Sequence, residues 1–237
     1  MTFQIGLVAR GGLIIARDRK SIDYGRNLKV MDGVGPAIRH SSEGGKTFWS
    51  EQGNIVCAFS GDDFGRVAAR EAMSIKIAAS TPYHEIESTL VNHFNLIWNR
   101  ASQNGQPPAQ VPPMLIIGLL NQVKHQLWRV EVQKTSKCDW HCFQCFGGDG
   151  LNPAVYFPQA YYGNRKRSLE ELLLLVVHTI REAHKLNPTL VGGLDIFITD
   201  QKGDRMLERE EIRKLERLSH TVHRDVESLL FKRTVSL

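Results

Sequence analysis

The chain has 237 residues, 42% of them hydrophobic, and its 30 basic against 25 acidic side chains give a net charge of +5. That length and apolar content suffice for one large domain with a substantial core. No run is long and apolar enough to cross a bilayer, residues 1–20 lack the unbroken apolar core of a signal peptide, and the basic residues are scattered, so neither membrane nor nucleic acid is an expected partner and a cytoplasmic location is the simplest expectation.

The first eighteen residues carry the densest chemical information. Thr2 precedes a run of β-formers at 3–9, Arg10-Gly11-Gly12 breaks it with turn residues, and 13–18 reads as a second strand returning beside the first. An antiparallel hairpin of this length brings Asp18 back beside Thr2. With Met1 removed, Thr2 would carry a hydroxyl and a free α-amine on one residue, which makes a nucleophile with its own base. The amine's ordinary pKa, roughly 7.7 to 8.0, suits it to accept the hydroxyl proton near neutral pH. A buried carboxylate could orient that amine, and a nearby Lys could lower its pKa by repulsion. A plain strand start capped by an Asp fits the same residues.

Residues 19–45 are polar and Gly-rich and read as a long loop, contributing to a cleft or to subunit contacts. Strands are expected at 46–50 and 55–59 around a turn at 51–54. Ser60-Gly61-Asp62-Asp63 opens an expected helix to residue 79, with Val67, Ala68, Ala72, Ile75 and Ala79 at helical period. Thr81-Pro82 separates it from a second helix at 83–101, with Ile86, Leu90, Phe94 and Ile97 on one face. The Pro-rich segment 102–113 is a loop, and strands follow at 114–120, 125–133 and 138–146.

The last of these strands contains Cys138, His141, Cys142 and Cys145. In a continuous strand Cys138 and Cys142 stand roughly 13 Å apart, too far to share one metal, so reduced thiols are expected and no metal. Ser168-Leu169-Glu170-Glu171 is a capping box for an apolar helix to residue 185, which Asn187-Pro188 closes. A strand at 194–199 follows Val191-Gly192-Gly193, and a last amphipathic helix is expected over 205–231. Two antiparallel sheets, each covered outside by a helix pair, satisfy this element order.

The segment TFQIGLVARGGLIIARDRKS resembles the start of proteasome β-type subunits, threonine peptidases of the N-terminal nucleophile hydrolase class. Collinear matches follow at KTFW…NIVCAFSGDD, at CFGGDG and at SLEELLLLVVHTIREAH…GGLDIFIT, so the resemblance spans residues 2–199. It implies an α+β fold, a four-layer αββα sandwich of two antiparallel sheets flanked by helix pairs, over a single domain 1–237. It also implies threonine endopeptidase activity with Thr2 as nucleophile, supported by Asp18 and Lys46; counting back from Ser60-Gly61 selects Lys46 over Lys29. Gly61 would stabilise the oxyanion, Phe59 and Asp63 would line the substrate pocket, and Asp149 stands where a Ser normally supports the amine. No cofactor is implied. The implied partners are further copies in stacked homo-oligomeric rings and an unfolded peptide or protein as substrate, with any ATPase or cap unspecified. The family's Asp and Ser before Gly192-Gly193 have no clear counterpart in residues 186–191, which leaves a non-catalytic ring subunit, or an N-terminal nucleophile amidase on a small molecule, as alternatives.

Overall fold

The computed structural model describes residues 2–19, 21–24, 38–41, 47–50, 54–61, 63–104, 112–120, 125–148, 151–163, 167–188, 191–200 and 203–232. Among them the chain runs β1 (Phe3–Ala9), β2 (Gly12–Arg17), β3 (Ser21–Tyr24), β4 (Ile38–Ser41), β5 (Thr47–Trp49), β6 (Ile55–Phe59), α1 (Asp63–Ala72), α2 (Tyr83–Gln103), β7 (Met114–Leu119), β8 (Gln126–Glu131), β9 (Lys137–His141) and β10 (Gln144–Gly148). A 3-10 turn (Pro153–Val155), α3 (Tyr156–Tyr161), α4 (Leu169–Leu186), β11 (Asp195–Asp200), β12 (Gly203–Met206) and α5 (Arg209–Lys232) complete it.

Two antiparallel sheets of five strands result, ordered β10-β1-β2-β11-β12 and β5-β6-β7-β8-β9, with β3 and β4 paired apart from both. Strand alternation sorts the side chains of each sheet to two faces. From the first sheet Phe3, Ile5, Leu7, Ile14, Ala16, Ile196 and Ile198 join a core with Leu172, Val176, Val177 and Ile180 of α4. From the second sheet Ile55, Cys57, Leu115, Ile117 and Trp128 join one with Ala68, Ala69 and Ala72 of α1 and Leu90, Phe94 and Ile97 of α2. The intervening positions Val8, Leu13, Ile15 and Phe197 of the first sheet meet Val56, Ala58, Ile116 and Leu127 of the second. The approach is tight enough that a Cβ on Gly6 would lie 2.9 Å from the Leu127 side chain.

Helix α4 starts where its sequence says it should. The Ser168 hydroxyl accepts from the Glu171 amide at 3.3 Å, and the Glu171 carboxylate accepts from the Ser168 amide at 2.8 Å. Both bonds satisfy donors that the first helical turn leaves open. Replacing Ser168 with Ala is expected to lower stability by about 1 kcal/mol, read as a shift in the denaturant midpoint without a change in slope. Helix α5 packs on α4 through Arg181, which donates to the Glu216 carbonyl at 2.7 Å, and through His178 and Ser219, 3.1 Å apart.

Several expectations are corrected here. Helix α1 ends at Ala72 rather than 79, and Val67 is exposed. Its end is closed by short i to i−3 bonds at Met73, Ser74 and Ile75, after which Ile75 and Ile77 both turn to the same core; two residues apart, they could not share a face of a helix. The single strand expected at 138–146 is two: β9 pairs with β8 in the second sheet and β10 with β1 in the first, with a bend at Cys142-Phe143 where the chain changes sheet. Cys138 and Cys145 therefore belong to different sheets. The last helix begins at Arg209 instead of 205, because residues 203–206 form β12 and pair with β11. The loop expected at 19–45 contains the β3–β4 pair, and residues 153–161 supply a 3-10 turn and a helix that the sequence reading passed over. No helix among the described residues is long and apolar enough to cross a membrane.

Candidate functional site

The β1–β2 hairpin closes with Gln4 opposite Arg17, which leaves Phe3 and Asp18 facing each other at its open end. They are joined twice: the Asp18 amide donates to the Phe3 carbonyl at 3.1 Å, and the Phe3 amide donates to Asp18 Oδ1 at 2.8 Å. A carboxylate that accepts a backbone N–H is held in one orientation. Asp18 is fully buried, and Thr2, the residue next to that amide, is 3% exposed. The sequence expects a turn at Arg10-Gly11-Gly12 and Asp18 beside Thr2; the turn is Arg10-Gly11 alone, because Gly12 opens β2 and pairs with Ala9, and that register sets Asp18 opposite Phe3, the residue after Thr2.

The other flank of Thr2 is β10. Phe3 pairs with Gly148, whose φ is +67°, and a Cβ on Gly148 would overlap the Thr2 carbonyl oxygen. Ser60, at the end of β6 in the second sheet, lies beside the same contact, its Cβ 3.4 Å from where that side chain would begin, and its hydroxyl donates to the Met114 carbonyl at 3.0 Å. The Gln4 side chain lies against Gly147; its amide is fully buried and lacks a hydrogen-bond partner among the described residues. Thr2 therefore sits where the ends of the two sheets come together.

A charged network that the sequence reading missed lies next to Asp18. Arg17 is 1% exposed; its Nε donates to Thr47 Oγ1 at 2.8 Å, its Nη1 to the Asp18 carbonyl at 3.2 Å and its Nη2 to Asp195 Oδ2 at 2.5 Å. Arg19 binds the other oxygen of Asp195. Burial pulls the Arg17 guanidinium down to about 10, against the opposing pull of Asp195 and then Asp18, so it stays charged at neutral pH. The signal in the sequence was the Arg-Asp-Arg run ending an otherwise apolar strand, where charges enter a core only if paired. The backbone around Asp195 is tied to the same place, for the Arg19 amide donates to the Gly192 carbonyl at 2.9 Å and His184 Nδ1 lies 2.5 Å from the Val191 carbonyl.

The remaining candidates are placed as follows. Gly61 is exposed and leads into α1, against Pro113. Phe59 is 2% exposed, with its ring stacked on Phe48 in the core under α1. Asp63 opens α1; its side chain, together with Met1, Lys29, Lys46 and Asp149, lies outside the described residues.

No family model matches the sequence, and no curated protein matches it. Solved structures do. Anbu (ancestral beta-subunit) from Yersinia bercovieri superposes with a TM-score of 0.69 at 11% identity, covering 99% of this chain and 99% of that one. An Anbu (Gly-1) mutant from Hyphomicrobium sp. strain MC1 superposes with a TM-score of 0.67 at 11% identity, covering 100% of this chain and 99% of that one. These neighbours correct the expected membership among proteasome β-type subunits: the likeness is to Anbu proteins, which are proteasome-like but a distinct family, and at this identity it is a likeness of fold.

Proposed function

We propose that the protein is a threonine peptidase of the N-terminal nucleophile kind, built as a four-layer αββα sandwich and working in a self-associated, ring-like assembly. The observation that carries the reading is the buried Thr2 held between the Asp18 carboxylate, through the Phe3 amide at 2.8 Å, and the side-chain-free Gly148. The reading requires Thr2 to be the first residue of the mature chain.

In the proposed reaction the Thr2 hydroxyl oxygen attacks the peptide carbonyl carbon while its proton passes to the Thr2 α-amine. The resulting oxyanion takes a hydrogen bond from the Gly61 amide. Collapse of the tetrahedral centre breaks the C–N bond, and the amine returns the proton to the departing nitrogen. Water then attacks the Thr2 ester, with the amine taking its proton, and releases the acid while the hydroxyl is restored. Asp18 orients the amine and Lys46 lowers its pKa by repulsion. Asp149, following Gly148, would accept from the amine and raise its pKa, opposing Lys46. Phe59 would back the substrate pocket from its buried place, where its ring stacks on Phe48, and Asp63 would offer a carboxylate to the substrate side chain. Leu218 and Val222, exposed on α5, favour packing of that helix against a second copy.

The test is intact-mass measurement of the natively expressed protein before and after treatment with a peptide epoxyketone, which needs both the hydroxyl and the amine of one terminal residue. The expected result is loss of Met1 and one adduct, mapped to Thr2. Retention of Met1 puts the amine on the wrong residue and leaves a non-catalytic ring subunit as the reading.

A further inference from the structure

Along β2 the residues facing the second sheet are Leu13, Ile15 and then Arg17. The first two meet Val56, Ala58 and Ile116 as apolar partners, whereas Arg17 crosses to Thr47, the first residue of β5, by a hydrogen bond. A contact needed only to hold two sheets together is made more simply by apolar side chains, because burying an ion pair is often neutral or worse for stability than well-packed hydrophobic residues. The charged link occurs at the sheet ends where Thr2 sits, and the same guanidinium holds the Asp18 carbonyl.

We infer that Arg17 is a positioning residue that fixes Asp18 and Thr47 relative to one another across the two sheets and supplies a positive charge beside the reacting end of Thr2. The inference rests on the reading of Thr2 given above. The planar guanidinium matters because it donates in three directions at once, to Thr47, to the Asp18 carbonyl and to Asp195; an ammonium on a flexible stem cannot reproduce that fork. The charged groups that bear on it are Asp18 and Arg19 beside it in sequence and Asp195 on β11. Thr47 follows Lys46 in the sequence, so the Arg17–Thr47 bond anchors the chain directly after the proposed amine-tuning lysine. Removing a cation here raises the pKa of the Thr2 amine, since the protonated amine then meets less repulsion.

The experiment follows the rate of Thr2 modification by a peptide epoxyketone against pH, on the full chain in its native assembly, for wild type, Arg17→Met, Arg17→Lys and Thr47→Val. Arg17→Met is expected to lower the plateau rate about 100-fold through misplacement and to move the acid limb to higher pH. Arg17→Lys restores the acid limb, because it keeps the charge, but not the plateau. Thr47→Val lowers the plateau about 10-fold and leaves the limb in place. If Arg17→Met does not fold, the other two variants decide between the outcomes. Wild type that is never labelled removes the Thr2 reading and this inference together. Wild type that is labelled, with variants matching it in plateau and limb, or with Lys shifting the limb as far as Met, overturns the inference alone.

Discussion

Thr2→Ala is expected to abolish epoxyketone labelling and to reduce peptide turnover on the order of a million-fold, the loss found when a nucleophile that works as a unit with its base is removed. The fold should survive the change. Thr2 precedes β1 and its backbone carbonyl packs against Gly148 whatever its side chain, so trimming a buried hydroxyl and methyl there is expected to cost about 1–2 kcal/mol, less than the stability of a domain. Thr2→Ser keeps both hydroxyl and amine and should still be labelled at the same position. The comparison is informative because the Phe3 amide holds the Asp18 carboxylate through a backbone bond that both variants keep. Labelling of Thr2→Ala at an undiminished rate, on any other residue, would move the nucleophile elsewhere in the chain.

The parts of this molecule that could be read from sequence are those specified by short-range rules. The β1–β2 hairpin follows from two runs of β-formers around a short turn, and the pairing of Ala9 with Gly12 across Arg10-Gly11 sets Asp18 opposite the residue after Thr2. The start of α4 follows from Ser168 and Glu171, and the buried face of α2 from Ile86, Leu90, Phe94 and Ile97 at helical spacing. What could not be read depended on partners far away in the chain. Arg17 is bound by Thr47, 30 residues on, and by Asp195, 178 residues on, and no local pattern announces either. The run at 138–146 alternates well enough for one strand, yet competition between the edges of two sheets splits it at Cys142-Phe143. Residues 205 and 206 fit the start of the final helix because Leu207 and Ile212 continue an apolar spacing, whereas pairing with β11 claims 203–206 as a strand. The family motifs at GGDG and at the Gly-Gly before β11 were short enough to fit the chain without distinguishing a proteasome β-type subunit from the Anbu proteins it superposes on.

Gly148→Ala should damage both stability and reactivity, by a different route from loss of the nucleophile. An alanine at φ +67° pays about 1 kcal/mol for the left-handed conformation alone. Its Cβ would also overlap the Thr2 carbonyl oxygen, and that atom is backbone, unable to swing aside as a flexible side chain could. Relief requires β10 and the start of β1 to separate where Phe3 pairs with Gly148, which pulls Thr2 away from Asp18 and Ser60. The expected result is a destabilisation of about 3 kcal/mol or more in denaturant unfolding, with a labelling rate at Thr2 reduced about 100-fold in the protein that remains folded. Gly11→Ala separates the two effects. Gly11 has a φ of +81° with nothing within 4 Å of a Cβ, so the same substitution there carries only the conformational term, about 1 kcal/mol, and should leave labelling unchanged. If the two alanine variants are labelled equally fast, the packing of Gly148 against Thr2 contributes nothing to the placement of the nucleophile, and the geometry on which the catalytic reading stands loses one of its two flanks.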